Sequence, residues 1–187
     1  MSDLLASLSA PLPQPITLDY ELYARGSARF RICCGEHDFS ISDFGSLTDG
    51  LGDFVRAALT VATGAGYAEI LFDAEPQIWG LAVESAGLSD EKVRIVRISI
   101  KDGGRSLQSD GHSSLPVWKW SSEPVFQGFV TTDDFAREVQ QAALKVRREL
   151  DDATYRETWG HFGSLEGFPQ RGLAALEAAL AITEYRE

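Results

Sequence analysis

Within the first third of the chain the apolar residues change their spacing, and that change limits the folds available. From Ile16 they recur at every second position: Ile16, Leu18, Tyr20 and Leu22 alternate with Thr17, Asp19 and Glu21. The stretch ARFRICC repeats the pattern, setting Ala28, Phe30, Ile32 and Cys34 against Arg29 and Arg31. A period of two marks a strand with one buried face, and the Arg-Gly-Ser turn between the runs predicts an antiparallel hairpin. DFSIS at 38–42 supplies a short third strand. From Leu47 the spacing becomes three and four, through Leu51, Phe54, Val55, Ala58, Leu59 and Ala62. That is an amphipathic helix, with Ser46 or Thr48 to cap it, Asp49 and Asp53 at its positive end and Gly64 to stop it.

Strand signals follow in AEILF, IWGLAVE, KVRIVRISI, VWKWS and PVFQGFV. The segment 101–116, KDGGRSLQSDGHSSLP, is rich in Gly, Ser and Asp and reads as a long mobile loop. A second helix opens at TTDD, with Thr131 or Thr132 as its cap; Phe135, Val139, Ala142, Ala143, Val146 and Leu150 form its apolar stripe. A third lies in LEGFPQRGLAALEAALAI, with Pro169 near its first turn and Leu173, Leu176 and Leu180 on its apolar side. Strands and helices do not alternate regularly, which disfavours a doubly wound parallel sheet. The pattern predicts an α+β fold: one antiparallel sheet of about six to seven strands with two or three helices packed on one face. Residues 1–15, which carry several prolines, form a flexible N-terminal arm, and 16–187 a single domain.

No apolar run reaches the ~20 residues of a membrane span, and the N-terminus lacks the basic start of a secretory signal. The only two cysteines, Cys33 and Cys34, are neighbours that diverge on a strand. They are expected as reduced thiols, which places the protein in the cytoplasm.

Motifs for chemistry are sparse. Glu36, His37 and Asp38 are consecutive, so on extended backbone they converge poorly on one ion, and His112 and His161 lie in no ligand spacing. No metal or cofactor is expected. TGAG at 63–66 ends a helix and precedes a strand, the reverse of a dinucleotide fingerprint. The chain has no Gly-x-Ser-x-Gly elbow; the most enzyme-like grouping is His161 with Ser164 and Glu166, which defines an alternative reading as a small hydrolase or transferase.

Charge is distributed unevenly. The chain carries a net −11; residues 1–91 hold 14 acids and 4 bases, whereas 92–187 hold 14 acids and 13 bases. Between 36 and 91, 11 acids face the single base Arg56. Such a surface disfavours nucleic acid and anionic membranes as partners and favours a basic protein. The expected partner-binding surface comprises Asp38, Asp43, Asp49, Asp53, Asp73 and Glu75, with Trp118 and Trp120 as aromatic anchors on one strand face.

The segment from LTDGLGDFVRAALTVATGAGYAEILFDAEPQIWGLAVE through VRIVRISI to FQGFVTTDDFAREVQQAALKV resembles small, acidic, largely uncharacterised bacterial proteins, some of them immunity-like partners of toxins. The resemblance raises the expectation of a binding role and carries across no catalytic residue. The expected function is therefore that of a non-enzymatic cytoplasmic protein-binding module, of the immunity type, neutralising a basic toxin. A third reading is a small-molecule binding domain with a pocket between sheet and helices lined by Trp79, Trp118 and Trp120.

Overall fold

The computed structural model describes residues 11–45, 48–74, 77–109, 114–159 and 167–184, and of 105–109 and 114–118 the backbone alone. Eight strands and four helices are defined among these residues. The alternating N-terminal runs form β1 (Ile16–Ala24) and β2 (Ser27–Cys34), joined at Gly26, where φ is +71°. β3 (His37–Gly45) extends well beyond the short third strand that DFSIS predicts. These three make an antiparallel sheet in the order β1-β2-β3, in which Tyr20 lies opposite Phe30 and Ala28 opposite Phe44.

Helix α1 (Gly50–Ala62) then interrupts the strands. Asp49 caps it, its carboxylate accepting from the Gly52 amide at 3.1 Å, in place of the expected Ser46 or Thr48. The remaining strands are β4 (Tyr67–Ala74), β5 (Gln77–Leu88), β6 (Arg94–Ser109), β7 (Ser114–Trp120) and β8 (Phe126–Thr131). They form a second antiparallel sheet, β4-β5-β6, whose far edge is shared. Along β6, residues 95–100 pair with β8 and residues 103–109 pair with β7. The expectation of one sheet of six or seven strands is thus corrected to two sheets of three and five. The apolar period reports that a strand exists and which face is buried; it does not report which strands pair after a helix has carried the chain elsewhere. The expected loop at 101–116 is corrected as well. Gly103 and Gly104 lie within β6, which continues to Ser109 and pairs with β7, so much of the segment is paired strand.

Helix α2 (Thr132–Glu149) starts at the Thr131 cap, whose hydroxyl accepts from the Asp134 amide at 2.9 Å. It is followed by α3 (Asp152–Trp159), which the sequence reading did not separate from its surroundings, and by α4 (Gln170–Glu184). α1 packs on β4 and between α2 and α4, while α2 also covers β1. Among the described residues no helix is long and apolar enough to cross a membrane.

The two sheets share one core. β3 meets β4 and β8, and Phe30 stacks on Phe72 across the sheets with ring centroids 4.6 Å apart. Phe54 of α1 closes the cluster, 5.4 Å from both Phe30 and Phe72. Gly128 on β8 lets the sheets approach, because a side chain there would collide with the Cys34 sulfur. Hydrophobic burial around this cluster leaves the opposite face of each sheet turned outward.

Candidate functional site: the outer face of the five-stranded sheet

The two outer faces differ in kind. On the three-stranded sheet, charges are matched across strands. Arg29 pairs with Glu21, Lys145 of α2 with Asp19, and Arg31 with Asp38 through Nε and Nη2 at 2.9 and 2.5 Å. The Arg31 guanidinium holds the Asp38 carboxyl below the usual carboxylate range. Asp43, also on β3, accepts from the Tyr23 hydroxyl and thereby raises that phenol above its ordinary value.

The remaining acids expected to form a docking surface are placed differently. Asp49 and Asp53 sit at the start of α1, where Asp49 caps the helix and both face Arg56. Asp73 is on β4 and only 8% exposed. Glu75 lies outside the described residues, as do His161, Ser164 and Glu166 of the hydrolase-like grouping and His112. The structure brings Asp49 and Asp53 together but spreads Asp38, Asp43 and Asp73 over two sheets, and Arg31 compensates the charge of Asp38.

The tryptophans also separate. Trp79 is on the inner face of β5, partly buried, with its ring edge-on to Phe39 at 5.1 Å. Trp120 lies opposite Gly103 and belongs to the outer face. The pocket expected between sheet and helices is therefore not where Trp120 lies, and the side chain of Trp118 is outside the described residues.

Around Trp120 the outer face is concave. A Cβ built on Gly80 would lie 2.9 Å from Trp120 Cη2 and Cζ3, and one on Gly103 only 2.6 Å from Cζ3. The benzene half of the indole thus rests on two strand glycines, and 37% of the residue remains exposed. Glycine weakens a strand interior and is found there where something must approach the backbone closely; here the approaching group is an aromatic ring. Gly80, Ala82 and Ser99 form a floor of small side chains, and a cavity of about 420 Å³ opens above it. Trp120 and the Ser121–Val125 connection wall one side. That connection is pinned to β6 where the Ser121 amide donates to the Asp102 carbonyl at 2.7 Å and the Val125 amide to the Ile100 carbonyl at 2.8 Å. Tyr67 on edge strand β4 borders the other side.

The polar groups of the groove are organised. Arg97 donates through Nε to Glu84 at 3.0 Å and engages the same oxygen through Nη2. Partial desolvation, then the neighbouring Glu69 carboxylate to which its hydroxyl donates, raise the Tyr67 phenol above its ordinary value. Ser99, 9% exposed, presents a hydroxyl from the floor; Lys101, Gln127 and Glu123 complete the rim. Among the described residues no group of three or more His, Cys, Asp or Glu side chains is placed to hold a metal ion. Sequence reading named Trp120 but missed Gly80, Ser99 and Lys101. The available signal was a pair of glycines, Gly80 inside the apolar run IWGLAVE and Gly103 in the stretch read as a loop.

No protein-family model matches the chain, and no curated protein or solved structure does so either.

Proposed function

We propose that the protein is a non-catalytic recognition module and that it binds its ligand in the groove on the outer face of the five-stranded sheet. One observation carries this reading: Trp120 is seated on Gly80 and Gly103 on the side of the sheet away from the core. An indole needed only for stability has a place in the core, as the fully buried Trp159 illustrates. Holding one in a fixed pose while leaving it 37% exposed is the arrangement of an aromatic anchor, and tryptophan is over-represented among residues that dominate binding energy. The cavity volume of about 420 Å³ falls within the roughly 300–1,000 Å³ of small-ligand sites. Binding is favoured over chemistry because two of the groove's three carboxylates are already engaged, Glu84 by Arg97 and Glu69 by the Tyr67 hydroxyl.

The test is a chemically diverse panel of small ligands screened by amide NMR on the wild type and on Trp120→Ala. Ligands should perturb the amides of Gly80, Ser99, Lys101 and Gln127 and lose this effect in the variant. Hits that map to another surface would remove the site, and conversion of a bound ligand to product would remove the non-catalytic assignment.

A further inference from the structure

We infer that the ligand class is a neutral saccharide, stacked on Trp120 and hydrogen-bonded by the groove's rim. This deepens the reading of the groove as a recognition site and rests on it. Three features select the class. The first is the platform. Because the indole lies against the Gly80 and Gly103 backbone, its position is set before a ligand arrives, and its exposed part offers an aromatic surface of fixed orientation. The face of an aromatic ring is electronegative, and it attracts the polarised C–H groups that line one side of a sugar ring.

The second is the composition of the rim. Each sugar hydroxyl is both donor and acceptor, so it is best met by a mixed set of partners. The groove supplies acceptors in Glu69 and Glu123, donors in Lys101 and Gln127, and in Ser99 a hydroxyl that does both. A lipid or apolar peptide would leave those groups dehydrated and unpaired.

The third is charge balance. The groove's acids Glu69, Glu84 and Glu123 are set against Arg97 and Lys101, and Arg97 is committed to Glu84. A phosphorylated or sulfated ligand needs a concentration of uncommitted cations, and among the described residues only Lys101 is available to it here, in a chain of net charge −11. A strongly cationic ligand would meet Lys101 and would find Glu84 already neutralised by Arg97. A neutral polyhydroxylated ring meets neither penalty.

The inference is tested by titration calorimetry of the full chain with neutral mono- and oligosaccharides, their sulfated and phosphorylated counterparts, nucleosides and short peptides, all to millimolar concentration. A neutral saccharide should bind with little dependence on salt. Trp120→Ala should weaken it by about tenfold or more, while Trp120→Phe retains most of the affinity. Gly80→Ala should also weaken it, because the new methyl unseats the ring without removing it. Thermal unfolding of each variant establishes that the fold is retained. Binding of only a charged sugar, a nucleoside or a peptide in a Trp120-dependent manner overturns the saccharide class and leaves the groove assignment standing. Binding of nothing in the panel, or binding indifferent to Trp120→Ala, overturns both.

Discussion

The two neighbouring cysteines show how much one position along a strand decides. Cys34 faces the inter-sheet core, its sulfur 3.8 Å from the Phe129 carbonyl, whereas Cys33 faces outward beside Asp38 at 3.4 Å. Burial pushes the Cys34 thiol above its ordinary value, so its reactive thiolate is scarce as well as shielded. Alkylation of the native protein at mildly alkaline pH, read by peptide mass spectrometry, should therefore label Cys33 and spare Cys34 until the protein unfolds. Equal labelling of both would contradict the placement of Cys34. The alternation of ARFRICC made this orientation legible before any coordinates, because period two is a purely local property. The seating of Trp120 was not legible in the same way: its two glycine contacts are 40 and 17 residues distant in sequence, and no local period links them.

Among the helices, the cap of α2 could be anticipated from the sequence, whereas that of α1 fell on Asp49 and not on Ser46 or Thr48. Thr131 caps α2 as the TTDD stretch suggests, and α2 ends with Arg147 and Arg148 near its negative pole. Replacing Thr131 by Ala removes the acceptor of the Asp134 amide and should lower stability by about 1 kcal/mol in chemical denaturation. α3 escaped prediction because eight residues, only two of them buried, give too short a stripe to register as periodic. Its start is nevertheless marked by Asp151, which accepts from the Thr154 amide at 2.7 Å. That bond, and then the Thr154 hydroxyl, hold the Asp151 carboxyl below the usual range. The folded value lying below the unfolded one, the cap stabilises α3 at pH above about 4 and is lost as pH falls through the folded value. The protection of the Thr154 amide, relative to the intrinsic exchange rate at each pH, should fall in acid before that of the Asp134 amide, whose cap is the neutral Thr131 hydroxyl, and in Asp151→Asn this acid sensitivity should largely vanish.

At the scale of the molecule, two sheets and four helices share a single hydrophobic core, at whose centre Phe30 touches both Phe54 and Phe72. Truncating Phe30 to Ala opens a cavity where all three layers meet and should cost about 3–5 kcal/mol. Because the cluster is common to both sheets, loss of far-UV circular dichroism and of near-UV aromatic signal should still coincide in one transition. Two separated transitions would mean that the sheets are independently stable. The α+β class and its inward-facing residues could be read from periodicity; the division into two sheets could not, since strand partnership is a long-range choice.

The long strand β6 carries a further implication. Its edge passes from β8 to β7 between Ile100 and Gly103, and everything beyond that handover keeps its sidedness by parity alone. Inserting one residue at Asp102 would turn Gly103 and its opposite Trp120 toward the interior side, whereas inserting two would restore their sidedness. Homologues that retain the aromatic anchor are accordingly expected to vary in length at this handover only in even steps.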